Sequence, residues 1–295
     1  MKILITGATG FVGRNLVKEL NKMSGTRLLI VSRDSVKSKE IFDDASILHC
    51  ELTDRETITG FNPEIAIHLA AKLTSSNATE VIDDLIDSNI RYGVKLLDVL
   101  KDCPDFKLFL NFGTFAEYLY GAEGINNAYL YSATKTAFRA FLDYYSDLGG
   151  FKYIHIAPYT IYGGESKQKK IIDMIKESLT AKEPKKMSGG EQILDFIHVD
   201  DVVGFIVFLL QKPMKTATLR NGETIYLGTG TGTSLRQLAS KIETASGRKC
   251  NIAWGALPYR ERDVMHAVAP IGKLIELGWK PTISLDDYIQ RFSTK

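Results

Sequence analysis

The sequence Thr6-Gly7-Ala8-Thr9-Gly10-Phe11-Val12-Gly13 follows a short apolar run at the start of the chain and precedes an amphipathic segment. A strand, a glycine-rich turn and a helix N-terminus are therefore predicted in direct succession. Gly7 permits the sharp turn, Gly10 lets the backbone approach a bound group, and Gly13 lets the helix pack on the strand. Free N–H groups and the helix dipole attract anions, so the turn predicts a pyrophosphate site. The spacing is G-x-x-G-x-x-G rather than the commoner G-x-G-x-x-G, and a purely structural turn is the alternative.

The first half of the chain alternates short β-rich runs with longer helical patterns. The predicted strands are Lys2–Thr6, Arg27–Ser32, Ser46–Cys50, Ile65–Leu69, Lys107–Phe112 and Lys152–Ala157. The predicted helices are Val12–Met23, Val81–Leu100 and Tyr129–Leu148. Such alternation builds a parallel sheet covered on both faces, so the expected fold is an α/β, doubly wound (Rossmann) sheet.

Beyond Pro158 the regular alternation ends, and a smaller C-terminal lobe is expected to begin. The apolar segment Val199–Leu210 reads as a helix that returns to the sheet, which makes the two domains interleaved. We expect a dinucleotide-binding domain from 1–162 plus about 193–228, and a substrate lobe from about 163–192 plus 229–295.

Composition excludes several classes of protein. The 295 residues are 44% hydrophobic, enough for a full core, and 37 basic against 35 acidic residues give a net charge of +2, which favours neither nucleic acid nor a membrane surface. The three cysteines show no C-x-x-C spacing, so neither disulfides nor a metal site is expected. Without a signal-like or membrane-spanning apolar run, we expect a cytoplasmic protein.

The end of the second strand bears on which dinucleotide is bound. An acidic residue at this place binds the ribose hydroxyls of NAD, whereas the chain reads Val31-Ser32-Arg33-Asp34. Ser32 and Arg33 can receive a 2'-phosphate, the arginine through charge-assisted hydrogen bonds. NADP, as NADPH, is therefore favoured, while Asp34 leaves NAD open and a solvated Arg33 is the other alternative.

Tyr131 and Lys135 are a candidate acid/base pair. They begin a predicted helix at positions i and i+4, and a nearby ammonium favours phenolate, which predicts a lowered pKa for Tyr131. A Tyr-x-x-x-Lys pair is common by chance, and a tyrosine in the core is the alternative. Thr114, at the carboxyl end of the fifth strand where α/β sheets bind ligands, supplies a hydroxyl upstream of the pair.

These residues together resemble the extended short-chain dehydrogenases/reductases, the family of nucleotide-sugar epimerases, dehydratases and reductases. The motifs that carry the resemblance span nearly the whole chain: the Thr6–Gly13 turn, His68-Leu69-Ala70-Ala71, Asn89, the Thr114, Tyr131 and Lys135 set, Asp195-Phe196-Ile197-His198-Val199-Asp200-Asp201, and Arg260-Glu261-Arg262-Asp263.

The resemblance implies a role for each matching residue. Tyr131 would be the acid/base, Lys135 would hold the nicotinamide ribose, and Thr114 would bind the reacting sugar oxygen. The implied cofactor-binding residues are Gly7, Thr9, Gly10, Phe11, Val12, Gly13, Ser32, Arg33, Glu51, Leu52, Leu69, Ala70, Ala71, Asn89, Tyr131, Lys135 and Pro158. The implied substrate-binding residues are Thr114, Phe115, Thr160, Arg260 and Asp263. His198 is expected to be structural, and a homodimer is implied through four helices, the two predicted at Val81–Leu100 and Tyr129–Leu148 from each subunit.

Two departures weaken the match on the substrate side. Leu194 stands where the family often has a diphosphate-binding arginine, and Ala157-Pro158-Tyr159-Thr160 replaces an Arg-x-x-Asn pattern. Diphosphate anchoring would then depend on Arg260, Arg262 or a lysine near Lys169.

The residues around Thr114 favour one reaction of the family. Phe115 and Ala116 replace the Asp-Glu of the 4,6-dehydratases, and neither a cysteine nor a histidine is placed as in the epimerase-reductases. Ser32 and Arg33 indicate exchangeable NADPH rather than retained NAD. The pattern is most similar to the nucleotide-linked 4-keto-6-deoxyhexose 4-reductases, including the CDP-abequose and CDP-paratose synthases. An NAD-dependent NDP-sugar 4-epimerase and a non-catalytic NADP-binding sensor are the alternatives.

Overall fold

The computed structural model describes residues 1–164 and 169–291. Its strands are β1 Lys2–Thr6, β2 Arg27–Ser32, β3 Ile47–Glu51, β4 Ile65–His68, β5 Leu108–Phe112, β6 Lys152–Pro158, β7 Thr160–Tyr162, β8 Lys185–Met187, β9 Ile193–His198, β10 Glu223–Leu227, β11 Gly232–Ser234, β12 Ile252–Trp254 and β13 His266–Ala267. Its α-helices are α1 Phe11–Leu20, α2 Ser35–Ile41, α3 Arg55–Phe61, α4 Ile82–Ile86, α5 Tyr92–Leu100, α6 Leu130–Gly149, α7 Ile171–Ser178, α8 Val199–Gln211, α9 Pro213–Thr218, α10 Leu235–Ser246, α11 Gly272–Leu277 and α12 Leu285–Gln290.

The central sheet has seven strands in the order β10-β6-β5-β4-β1-β2-β3. The pairs from β6 to β3 along this order are parallel, with β1 between β4 and β2, so that the chain winds outward in both directions from β1. Strands β4 and β5 are buried at every position, as expected when helices cover both faces. The predicted doubly wound α/β fold is confirmed.

The six predicted strands and three long helices are all present. β1 and β2 have the predicted bounds, and each of the others has one or both ends shifted by one to a few residues. Prediction missed α2 and α3, which have only seven residues each and are capped by Asp34 and Asp54. It also missed β10, the seventh strand of the sheet. The predicted helix at 81–100 is continuous but contains a π-helical turn, Asp87–Arg91, between α4 and α5.

The chain divides into two compact units. The first comprises Met1–Glu117, Tyr129–Ala157 and Ile206–Ile225, and the second comprises Tyr118–Ala128, Pro158–Phe205 and Tyr226–Lys295. These bounds differ from the predicted domain limits mainly at 118–128 and 193–205. The predicted substrate lobe remains a prediction, and its positions 165–168 and 292–295 lie outside the described residues.

The first unit packs around side chains from the sheet and from α3, α5 and α6, with Phe109, Phe138 and Phe151 among the largest. In the second unit, β11, β9 and β13 form a sheet in that order, and β7 pairs in parallel with β9.

Asp195 organises the second unit from within. Its carboxylate is fully buried and accepts hydrogen bonds from the Thr229 N–H and hydroxyl, the Gly230 N–H and the Ala269 N–H. A Cβ at Gly228 would lie 2.6 Å from an Asp195 oxygen, so only glycine fits there. Asp195, the first residue of the Asp195–Asp201 motif, therefore has a structural role, because it binds backbone N–H groups of two other segments.

Candidate active site

The glycine-rich turn closes tightly between β1 and α1. Gly7 has φ +69°, and a Cβ at this position would lie 2.5 Å from the Leu69 carbonyl carbon and overlap the Ala70 nitrogen. A Cβ on Gly13 would lie 2.6 Å from Ala8 Cα. Because the backbone of the turn packs directly on the chain leaving β4, side chains are excluded at both positions.

A cavity of about 410 Å³ opens beside this turn, within the usual size range of ligand sites. The predicted cofactor residues that line it are Gly7, Thr9, Gly10, Ser32, Arg33, Leu69, Ala70 and Ala71. A second cavity of about 680 Å³ shares Ser32, Arg33 and Tyr92 with the first and is also lined by Glu51 and Leu52. Predicted residues from four separate chain segments thus meet at the carboxyl edge of the sheet.

Other predicted cofactor residues do not line either cavity. Phe11, Val12 and Gly13 form the first turn of α1, and Pro158 is buried at the end of β6. Asn89 is fully buried in the π-helical turn, and its amide bonds the Lys72 N–H, the Lys72 carbonyl and the Thr134 hydroxyl. The Asn89 side chain is therefore not positioned to contact a cofactor directly. Asn89 instead ties the segment after β4 to α6.

Arg33 and Asp34 have different roles at the end of β2. Asp34 caps α2, since its Oδ1 accepts the Lys37 N–H at 2.8 Å, and the Ser32 hydroxyl donates to the Asp34 carbonyl. The Arg33 guanidinium is exposed at both cavities and makes no hydrogen bond or ion pair within the described part of the chain. An exposed cation therefore lies where an acidic residue would select NAD.

Tyr131 and Lys135 lie one turn apart on α6, and both are buried. Burial, with a smaller contribution from Glu117, raises the pKa of Tyr131. The predicted lowering of the Tyr131 pKa by Lys135 is therefore wrong for this structure, because burial and Glu117 both raise this pKa. Burial lowers the pKa of Lys135 to about 8, against an opposing effect of Glu117. Neither side chain's polar end makes a hydrogen bond or ion pair among residues 1–164 and 169–291.

Thr114 is held immediately after β5 by its backbone and its hydroxyl. Its N–H donates to Glu117 Oε1 at 2.9 Å, and its hydroxyl oxygen accepts the Ala116 N–H at 3.2 Å. The Thr114 hydroxyl proton therefore remains available to a ligand. Phe115 begins the 3-10 turn Phe115–Glu117 and is half-buried.

Sequence reasoning missed a buried polar pair beneath this threonine. Glu117 and His155 are both fully buried, with His155 Nε2 3.3 Å from Glu117 Oε1. A Cβ on Gly113 would overlap both side chains, so Gly113 makes their approach possible. The available signal was His155 itself, a polar residue within the apolar strand Tyr153-Ile154-His155-Ile156, which needs a partner when buried.

The predicted substrate-binding residues of the second unit lie in β7 and in the 260–263 turn. The Thr160 hydroxyl is buried and has no hydrogen-bond partner in the described chain. Asp263 accepts from Gln192 Nε2 at 2.9 Å, and Arg260 is exposed. Two other predicted diphosphate anchors are engaged, since Arg262 bonds Asn126 and Asn127 and Lys169 pairs with Glu177.

Neither a metal site nor a membrane-spanning helix is present among the described residues. No group of three or more His, Cys, Asp or Glu side chains there could hold a metal ion. Within the same residues, every helix is too short or too polar to cross a bilayer.

Comparison with known proteins identifies the family. The model of the NAD dependent epimerase/dehydratase family matches residues 3–228, which is most of the chain and includes the glycine-rich turn, Thr114, Tyr131 and Lys135. The chain belongs to this family.

Similar family members include enzymes with different names. A CDP-abequose synthase of Salmonella typhimurium is 28% identical over 294 residues, covering 95% of this chain and 93% of the relative. A UDP-glucose 4-epimerase of Mycolicibacterium smegmatis is 27% identical over 314 residues, covering 99% and 97%. The crystal structure of Thermus thermophilus UDP-glucose 4-epimerase with NAD has a TM-score of 0.81 at 21% identity, over 98% of this chain and 97% of that one. This structural likeness confirms the fold.

Proposed function

We propose that the protein reduces the 4-keto group of a nucleotide-linked 4-keto-6-deoxyhexose with NADPH, in deoxysugar or surface polysaccharide biosynthesis. The observation that carries the proposal is the buried set of Thr114, Tyr131 and Lys135, which leaves the threonine proton, the phenol and the ammonium available to ligands. The similarity of the protein to a CDP-abequose synthase, over nearly the full chain, supports this choice of substrate class.

The residues at the glycine-rich turn fit a dinucleotide. Gly7 and Gly13 exclude side chains, so a pyrophosphate can approach the backbone N–H groups and the N-terminus of α1. In the first cavity Arg33 would bind the adenosine ribose, and Ala70 and Ala71 would line the cofactor cleft. In the second cavity Glu51 and Leu52 would lie near the adenine.

The chain's own residues would complete the reduction. NADPH, when bound, supplies hydride to C4 of the sugar. The Tyr131 phenol, kept protonated near neutrality by its raised pKa, donates a proton to O4. The Thr114 hydroxyl donates a hydrogen bond to the same oxygen and stabilises its developing charge. The Lys135 ammonium holds the nicotinamide ribose.

An NAD-dependent 4-epimerase is the second candidate, favoured by the similarity to the Mycolicibacterium smegmatis enzyme. Against it stands the end of β2, where Asp34 is used as a helix cap and Arg33 is presented to the cavities. A non-catalytic NADP sensor has no need for the Thr114, Tyr131 and Lys135 set. Incubation of the protein with NADPH and a panel of CDP-, dTDP- and GDP-4-keto-6-deoxyhexoses tests these alternatives. We expect one NADPH oxidised for each sugar reduced, whereas a sensor would bind NADPH without oxidising it.

The cofactor preference provides a separate prediction. NADPH should bind at least about tenfold more tightly than NADH, a difference of about 1.4 kcal/mol, because Arg33 pairs with the 2'-phosphate. Arg33→Ala should remove most of this difference, as measured by fluorescence titration with both cofactors. Arg55→Ala is the matched control, since Arg55 lines the second cavity but is already paired with Asp98 and Asp102. Equal affinities in the unmutated protein would refute the role of Arg33.

Simple reduction should leave the carbons next to the ketone untouched. Epimerisation there requires a base, and neither Phe115 nor Thr160 can act as one near neutrality. Glu117, the carboxylate bonded to the Thr114 N–H, is fully buried. In D₂O, with substrate that does not exchange by itself, the product should carry no deuterium at C3 or C5. Enzyme-dependent deuterium at either carbon, seen by NMR, would indicate an epimerase-reductase.

We also propose a homodimer formed through α4, α5 and α6. Large apolar side chains are exposed on α4, at Ile82 and Ile86, and on α6, at Phe141, Tyr144 and Leu148. Burying them between two copies would remove apolar surface from water.

A further inference from the structure

Glu117 is a buried carboxylate beside the proposed catalytic set. It is 0% exposed, at the end of the 3-10 turn that follows Thr114. Its Oε1 accepts the Thr114 N–H at 2.9 Å, and its Oε2 accepts the Thr136 hydroxyl at 3.0 Å. Since Thr136 follows Lys135 on α6, one carboxylate joins the segment carrying Thr114 to the helix carrying Tyr131 and Lys135.

His155 holds Glu117 from the neighbouring strand without neutralising it. Asn111 Nδ2 lies 2.9 Å from His155 Nδ1, and His155 Nε2 lies 3.3 Å from Glu117 Oε1, so the ring is held between these two side chains. Burial, partly offset by Glu117, lowers the pKa of His155, so the ring is neutral near pH 7. Burial raises the pKa of Glu117, but its hydrogen bonds to His155, Thr114 and Thr136 outweigh burial and lower that pKa, so the carboxylate is ionised. The pair therefore carries one negative charge.

Several charged and titratable groups surround Glu117, and its negative charge acts on one of them, Lys135. On α6 these are Tyr131, Lys135 and Arg139, and on the strands they are His68 and His155. Burial, with help from Lys135, lowers the pKa of His68 to about 3, so His68 is neutral above pH 6. Between pH 7 and pH 10, Lys135 is thus the member of this group expected to titrate, and Glu117 is the anion that opposes its deprotonation.

We propose that Glu117 is a positioning residue, held by His155, which fixes the Thr114 backbone against α6 and supplies the counter-charge that keeps Lys135 an ammonium for dinucleotide binding. The inference rests on the proposed function for the identity of the cofactor. A structural role alone explains Glu117 poorly, since a buried ionised group is costly and apolar residues of similar volume usually stabilise as well. Its charge is useful where a second charge must be kept in the same dry site.

The pH dependence of cofactor binding tests this proposal without any sugar. If the Lys135 ammonium binds the ribose, NADPH affinity should be high below the pKa of Lys135 and fall as pH rises through about 8. Glu117→Gln keeps the side-chain size and an acceptor oxygen but removes the charge that raises the Lys135 pKa. The pH at which NADPH affinity has fallen halfway, the midpoint, should therefore move to lower pH, by about one unit. Fluorescence titration of NADPH between pH 6.5 and 10 gives the midpoint.

Thr136→Val is the matched control, because it removes the hydrogen bond to Oε2 and leaves the carboxylate. Its midpoint should stay at the wild-type value, even if its melting temperature falls. A Glu117→Gln midpoint equal to that of the wild type would overturn the proposal and reduce Glu117 to a packing residue. If Glu117→Gln does not fold, the pH dependence of NADPH binding to the wild type still tests the proposal. Constant NADPH affinity of the wild type between pH 7 and pH 10 would contradict it.

The two proposals fail in different ways. If Glu117→Gln shifts the binding midpoint while no 4-keto sugar is reduced, the positioning role stands and the proposed reaction is wrong. If sugars are reduced but the midpoint does not move, the reaction stands and the role of Glu117 is wrong.

Discussion

Tyr131→Phe is expected to lower turnover by about 10²-fold or more, with little change in the dissociation constant of NADPH. The substitution keeps the ring and its packing but removes the proton that O4 receives. Because burial raises the pKa of Tyr131, the wild-type phenol is protonated through the neutral range, and its loss should be felt across that range. Steady-state NADPH oxidation and a separate cofactor titration measure the two effects.

The control for this substitution is Tyr120→Phe, which removes a hydroxyl from a side chain that is 79% exposed and lies outside the helices of the proposed dimer. Its turnover should be unchanged within a factor of about two. Near-normal turnover in Tyr131→Phe would show that another group protonates the sugar oxygen.

Gly7→Ala should both destabilise the protein and prevent tight cofactor binding. The added Cβ meets backbone atoms of Leu69 and Ala70, which cannot rotate away, and the positive φ of Gly7 disfavours any side chain. Strain and overpacking together predict a loss of about 3 kcal/mol in the free energy of unfolding. Displacement of the turn should raise the NADPH dissociation constant by about 10²-fold or more. Urea unfolding and fluorescence titration measure these quantities.

Gly60→Ala is the matched control for the same chemical change. Gly60 lies in α3, and a Cβ there meets nothing within 4 Å. We expect its stability to be equal to or slightly above that of the wild type, since alanine is the better helix former. If Gly7→Ala and Gly60→Ala behaved alike, the tight turn would not be what forms the cofactor site.

Most of the fold could be predicted because its signals are local. The strand, turn and helix at 2–20 follow from hydrophobic pattern and glycine spacing alone. Helices α2 and α3 were missed because seven residues carry too little periodicity, although Asp34 and Asp54 are helix-capping residues. The two compact units exchange chain segments at 118–128 and 206–225, and no local pattern marks such tertiary boundaries.

The sequence suggested which residues form the candidate site, but it did not predict their pKa values correctly. Tyr131 and Lys135 were identified from spacing, but the direction of the Tyr131 pKa depends on burial that spacing does not reveal. The sequence did not point to Glu117, because its three partners, Thr114, Thr136 and His155, come from different elements. Asn89 was identified from the family motif, but in the structure its side-chain amide forms hydrogen bonds with Lys72 and Thr134.

The most direct measurement of the central claim follows deuterium from labelled NADPH. NADPH carrying deuterium at the transferable position of C4 of the nicotinamide is mixed with the protein and a nucleotide-linked 4-keto-6-deoxyhexose, and the sugar is analysed by NMR. We expect one deuterium at C4 of the sugar for each NADPH oxidised, and none of this transfer without enzyme. The proposed reduction would be contradicted if no 4-keto sugar acquired deuterium while the protein inverted C4 of a nucleotide hexose with no net oxidation of cofactor.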